Sequence, residues 1–333
     1  MWLIYISLIV LLMVFSNASF SAAKEAVELV LYNVLPSLFP FFVLTDLLLR
    51  TGTATMLPSF LCGYPTGAIT CSTLYSQKKI SKRQGETLSA YVNNAGPAFV
   101  IGTIGTVMCH SQAIGFILLT AHLSASLTIM ILFRKYQKNI FQNKHRQMEP
   151  INIPLGQQLG ESLLKAVRQM ASVGGYIIFF AALIGILKEI GITNGFFLGF
   201  LEITSGINHI ISSLPADNFI PSLLQILPII SLLLGWSGLC IHLQIISILT
   251  KSGLRCKYFI VGKIFHALLS FIYTYLLLKL PLVQIFISTP AFAQNNNIFQ
   301  TQNPPFMLLI FQSLSITVFL LSLHKKRIAK RLV

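Results

Sequence analysis

The chain has 333 residues, of which 54% are hydrophobic and only 10% charged, with 9 acidic side chains in all. A soluble domain carries about 25% charged residues, so a chain with a mean hydropathy of +0.75 cannot cover itself with charge in water. A typical cytosolic enzyme, a disordered chain and a disulfide scaffold are excluded, and an all-α polytopic membrane protein remains. The net charge of +15 would suit a nucleic-acid binder, but 17 of the 24 basic residues sit in four short clusters between apolar runs: 78–83, 134–146, 251–257 and 325–331. That is the positive-inside pattern.

In chain order, apolar runs long enough to span fall at 1–16, 26–49, 85–108, 111–133, 166–187, 221–250, 258–280 and 305–323, which predicts about eight transmembrane helices. Run 1–16 lacks the basic n-region of a signal peptide and is read as a span. Two further stretches, 57–76 and 192–214, are interrupted by Gly, Pro or polar residues. All four basic clusters can be cytoplasmic only if 192–214 enters and leaves the membrane on one side, and the same reading suits 57–76. These two are the expected re-entrant segments. The resulting topology puts 21 basic residues on the cytoplasmic side and leaves Lys24, Lys188 and Lys279 off it. The domain is single: repeat one over about 26–133, a cytoplasmic linker over about 134–158, repeat two over about 159–280, and a last span at 305–323 with a basic cytoplasmic tail.

The halves follow one order. A span at 26–49 leads to a break at Gly63-Tyr64-Pro65-Thr66-Gly67, then to a span interrupted at Asn93-Asn94-Ala95-Gly96-Pro97. A span at 166–187 leads to a break at Glu202-Ile203-Thr204-Ser205-Gly206, then to a span interrupted at Trp236-Ser237-Gly238. Three spans separate the two starts, and an odd offset inverts the second unit. Inverted repeats with paired broken helices are the architecture of secondary transporters. Broken backbone is tolerated in a membrane where it is buried in protein or lines a cavity.

The breaks carry the candidate chemistry. Pro97 removes a backbone donor and Gly96 permits unusual angles, which frees carbonyl and N–H groups. Asn93 and Asn94 add amide donors and acceptors; the plainer reading is a packing kink. A half-helix starting at Thr66 would direct free N–H groups at an anion, with Gly63, Tyr64, Pro65 and Gly67 shaping the turn. Glu202 is ionisable at membrane depth, where a charge is costly, and Thr204, Ser205 and Gly206 follow it. The pseudo-symmetry leads us to expect Glu202 in a polar cavity beside Asn93 or Asn94. Trp236, Ser237 and Gly238 complete the candidate substrate-binding set. Asp46 reads as a surface i,i+4 partner of Arg50, and His122 and His266 as interhelical hydrogen bonders. The stretch 155–172 reads as an amphipathic helix leading into the next span. None of the five cysteines forms a CxxC pair, and no phosphate loop, HExxH or nucleophile elbow occurs. No metal, no cofactor and no enzymatic activity are therefore expected.

The segments GYPTGA at 63–68, NNAGPAFVIGTIG at 93–105 and LEITSGI at 201–207, with LPSLFPFF at 35–42, resemble the signature segments of the YlbJ-type sporulation integral membrane proteins. That group is placed in the nucleoside-recognition, or Gate-domain, family and is related to the concentrative nucleoside transporters. The resemblance implies a multi-pass protein of the cell membrane, or of the outer forespore membrane, with two re-entrant hairpins. It further implies export of an aromatic dicarboxylate, dipicolinate, from the mother cell. The chain departs from the family pattern at Asn93-Asn94-Ala95, where the family carries Ser or Cys with Ser/Thr, and its 51–62 segment is short. The expected function is transport of a small anionic or heterocyclic metabolite. Ion-coupled nucleoside transport and a non-transporting scaffold role in spore-envelope assembly are the alternatives. The expected partners are the bilayer, a small-molecule substrate and a coupling ion, H⁺ or Na⁺, but no nucleic acid; a homo-oligomer stays open.

Overall fold

The computed structural model describes residues 2–50, 63–133 and 154–281, together with 283 and 287. Among them every regular element is helical. Helices α1 (Trp2–Val14) and α2 (Ser16–Leu29) run through a π-helical turn, Val30–Val34, into α3 (Leu35–Arg50). After Gly63-Tyr64-Pro65 come α4 (Thr66–Ser76) and the short α5 (Lys82–Leu88), then irregular chain to Gly96. A π-helix, Ala98–Met108, leads to α6 (Gln112–Leu132). The rest comprises α7 (Leu155–Glu189), α8 (Gly195–Leu201), α9 (Ile203–Ser212), α10 (Phe219–Trp236), α11 (Gly238–Lys251) and α12 (Lys257–Leu278).

Side chains fix several of these starts. Ser81 and Gln84 form a reciprocal capping box on α5, Ser111 caps α6, and Asn194 caps α8. Each satisfies an N–H that the first helical turn leaves unpaired. Five stretches are long and apolar enough to cross a membrane: Ser16–Leu48, Gln112–Leu132, Leu155–Glu189, Ala216–Lys251 and Lys257–Leu278. The chain is thus a multi-pass membrane protein. Two expected spans are shorter as helices. Run 1–16 gives the 13 residues of α1, about 20 Å at 1.5 Å per residue. Run 85–108 is divided by the irregular chain between α5 and the π-helix. Run 305–323, the clusters at 134–146 and 325–331, and the first hairpin arm at 51–62 lie outside the described residues.

Residues 1–292 form one compact unit; the second, 293–333, lies outside the described residues. Within the first, α2 and α3 pack along α7, and α12 packs against both α6 and α10. The core runs through Val34, Phe42, Leu118, Ile230, Leu234 and Phe259. Leu268, Ile272 and Leu276 on α12 face outward, as expected of side chains directed at lipid. Helix α7 is continuous from 155 to 189, so the amphipathic stretch and the span that follows are one rod. The first and third basic clusters meet at one end, where the Glu86 carboxylate, just after the first cluster, accepts the main-chain N–H of Arg255 at 3.0 Å.

Asp46 departs from the surface reading. It is buried, and besides Arg50 (2.9 Å) it accepts from the Ser162 hydroxyl (2.8 Å) and the Lys165 ammonium of α7. Arg50 also reaches Glu161 at 2.7 Å. The residue clasps α3 to α7, a role that an i,i+4 spacing in sequence does not reveal.

Candidate functional site: a junction of broken helices

The first break turns at Gly63, whose φ of +75° is open to glycine at little cost. A Cβ there would lie 2.7 Å from the Gly96 nitrogen, so the turn and the second interruption of the first half are in direct contact. Thr66 opens α4 as the sequence predicts. At Gly67 a Cβ would meet the Val92 carbonyl at 2.4 Å and Asn93 Oδ1 at 2.7 Å. The two interrupted segments of the first half therefore pack backbone against backbone.

Asn93 donates to the Ser89 carbonyl (2.9 Å). Asn94 donates to Ser126 Oγ (3.1 Å), which donates in turn to the Tyr91 carbonyl. The Ala95 N–H donates to His122 Nε2 at 3.0 Å, and His266 Nε2 donates to the His122 carbonyl at 2.9 Å. The two imidazoles lie 4.2 Å apart and tilted by 37°, and the His266 bond to the His122 carbonyl joins α12 to α6, so the interhelical reading of this pair holds. Three buried oxygens around the breaks, Asn93 Oδ1, Asn94 Oδ1 and Thr66 Oγ1, have no hydrogen-bond partner among the described residues.

In the second half the hairpin breaks at Glu202, which is 1% exposed. Its carboxylate caps α9, accepting the N–H groups of Thr204 (2.9 Å) and Ser205 (2.6 Å). The polar partners expected from Asn93 or Asn94 are thus supplied by the helix's own backbone, which offers unpaired donors at that point. Gly206 packs onto Gly199, closing the hairpin. Trp236 stacks on Phe200 (4.7 Å, 9°) and on His242 (4.2 Å), and its Nε1 donates to the Phe200 carbonyl. This stack ties the hairpin to the second interruption, where Ser237 adopts a φ of +78° between α10 and α11. Gly238 abuts Leu201 and Ile203.

The halves meet through Tyr64. Its hydroxyl donates to the Leu234 carbonyl (3.1 Å) and lies 2.5 Å from Ser237 Oγ. At the same point sits Lys263, which the sequence count assigns to the cytoplasmic charges. It lies instead in the second turn of α12 and is 1% exposed. Its ammonium donates to the Asn93 carbonyl and to Ser237 Oγ (2.8 Å), and sits 4.9 Å from the centroid of the Tyr64 ring. A lysine near the start of an apolar helix ordinarily reads as snorkelling to the interface. Only the fold reveals that it points at the breaks.

Beside the junction is a narrow, largely apolar cavity, with about 30 Å³ accessible to water, lined by Val34, Leu38, Phe99, Val173, Ile177, Ile203 and Ile241 together with Gly63, Tyr64, Gly96, Glu202 and Thr204. A wider cleft of about 290 Å³ lies farther along α9 and the Leu29–Val34 stretch, lined by Asn33, His110, Asn208, Ser212 and Phe219. The candidate residues Gly63 to Gly67, Asn93 to Pro97, Glu202 to Gly206 and Trp236 to Gly238 thus belong to neighbouring breaks. Of these residues Gly63, Tyr64, Gly96, Glu202 and Thr204 line the cavity, whereas Pro65, Thr66, Gly67, Asn93, Asn94, Pro97, Ser205, Gly206, Trp236, Ser237 and Gly238 do not. Among the described residues no cluster of His, Cys, Asp and Glu is arranged to hold a metal.

Fold and site together define a multi-pass helical membrane protein built around paired broken helices. The chain is similar along most of its length to the sporulation integral membrane protein YlbJ of Bacillus subtilis (strain 168), with 25% identity over 325 residues, covering 79% of this chain and 78% of that protein. The resemblance to YlbJ-type proteins read from the motifs accordingly extends beyond them. No family model matches the chain. No solved structure matches it.

Proposed function

We propose that the protein is a secondary transporter for a small anionic or heterocyclic metabolite, built as an inverted repeat with two re-entrant hairpins. The observation that carries this reading is the junction itself. Tyr64 of one half and Ser237 of the other meet at 2.5 Å, beside a narrow, largely apolar cavity whose lining includes Gly63, Gly96, Glu202 and Thr204. Interrupted backbone that converges from two halves on a buried cavity is how such transporters hold a substrate near the midplane. The repeat reading is supported by two packed pairs, α2–α3 with α7 and α6 with α12, whose members hold matching places in the two halves. Helices α8 and α9, with 7 and 10 residues, are about 10 and 15 Å long, too short to cross a bilayer singly, which suits a hairpin.

Dipicolinate is the substrate that the YlbJ-type resemblance favours, with a role in sporulation as in the relative's name. The test is uptake by proteoliposomes of dipicolinate against uridine, with and without ion gradients. Saturable dipicolinate uptake is expected. Uptake of uridine alone would move the protein to the nucleoside class, and uptake of neither solute would favour a scaffold.

A further inference from the structure

We infer that the Lys263 ammonium is a resident cation: it fills the oxygen-lined cradle where the two breaks meet and takes the place there of a bound metal cation such as Na⁺. A charge at this depth is costly unless its surroundings compensate it. The surroundings here are those that suit a cation. They are the Asn93 main-chain carbonyl in irregular backbone, the Ser237 hydroxyl, and the face of Tyr64. Carbonyls of interrupted helices are the ligands that coordinate Na⁺ in broken-helix transporters, and an aromatic face attracts an ammonium through its quadrupole.

No carboxylate pairs with Lys263 among the described residues, where the ion pairs involve Asp46, Arg50, Glu161 and Lys165. Both Glu202 oxygens are engaged in capping α9, and Glu86 accepts from the Arg255 N–H. The other titratable groups facing the ammonium bring no negative charge. His122 accepts through Nε2 and is therefore a neutral ring, His266 and His242 donate to carbonyls, and the Tyr64 hydroxyl is engaged with Leu234 and Ser237. Position 263 thus places an amine on two neutral oxygens, the Asn93 carbonyl of one half and Ser237 Oγ of the other, the arrangement of a cation site with its cation tethered to the chain. Its consequence for coupling, that transport needs no Na⁺, rests on the transport reading; the occupancy of the cradle does not.

The test measures Tm of the purified full-length protein in detergent, at equal ionic strength in NaCl, choline chloride or ethylammonium chloride, for the wild type and for Lys263→Ala. The expected wild-type Tm is the same in all three salts. The variant is expected to melt several degrees lower and to recover in ethylammonium or Na⁺ but not in choline. A sodium-specific rise in wild-type Tm overturns the inference even if the variant cannot be purified. So does a folded variant that responds to no cation while Lys263→Met restores full stability, since that identifies a packing role. Uptake is measured in parallel. Sodium-dependent dipicolinate uptake by the wild type would overturn this inference and leave the transport reading standing. The expected Tm pattern without uptake of any solute would do the reverse.

Discussion

Glu202 and Lys263 are both buried, ionisable residues at the breaks, yet each is satisfied without the other, by backbone N–H groups in one case and by neutral oxygens in the other. For Glu202→Gln one amide oxygen remains to accept where two did, so we expect a loss of about 1 kcal/mol, as for a weakened helix cap. The pH profile of uptake should keep its shape, because the carboxylate is engaged in capping. Thermal unfolding and uptake measured across pH check both. Tyr64→Phe removes the hydroxyl shared with Leu234 and Ser237, while Ser237 keeps its bonds to Lys263 and the Leu234 carbonyl, so the loss should be about 1 kcal/mol; uptake should fall well below the wild-type rate. The turn residues were legible in the sequence because Gly, Pro and Asn cluster at the breaks, whereas single residues such as Pro40 and Pro228 stay inside α3 and α10. Lys263 was not, because its spacing from the start of α12 is also that of an interfacial lysine, and only the breaks of the other elements give it oxygens to bond.

Among the elements, α3 and α7 are joined by a charged clasp whose centre, Asp46, is buried while Lys165 is 45% exposed at its side chain. Exposure discounts the lysine's share; the Arg50 and Ser162 bonds lie deeper. Asp46→Asn should cost about 2 kcal/mol, below the range for wholly buried pairs, and Lys165→Met clearly less, both read from denaturation in detergent. The sequence shows Asp46 four residues before Arg50 and nothing of the partners more than a hundred residues away. Helix lengths were legible from the apolar runs wherever a run is continuous. At 85–108 the interruption was legible at Asn93-Asn94-Ala95-Gly96-Pro97, but the irregular chain begins earlier, after α5 ends at Leu88, since nothing in Ala90, Tyr91 and Val92 marks a break.

At the scale of the molecule, the contact between Glu86 and Arg255 gathers two basic clusters at one end, so sided labelling has a definite expectation. In a cysteine-free background, Lys78→Cys and Lys251→Cys should both react only with reagent on the cytoplasmic side, and Asn208→Cys in the wider cleft only from the opposite side. Labelling of 78 and 251 from opposite faces would end the re-entrant reading of 192–214. The breaks were legible from Gly, Pro and Asn in the first half and from Glu202, Gly206 and Gly238 in the second, whereas their convergence on Tyr64 and Ser237 depends on packing between distant segments. Tethering also has an electrical consequence. A metal ion that entered with an anion would cross the membrane with it and cancel its charge, whereas an ammonium bonded to α12 stays behind. On the transport reading, each anion then crosses carrying its full charge, and the membrane potential acts on it with about 2.3 kcal/mol per charge per 100 mV. An interior-negative potential would drive a dicarboxylate outward with no ion gradient at all. Imposing a potassium diffusion potential with valinomycin should therefore change the dipicolinate flux severalfold, in the direction set by the sign of the potential.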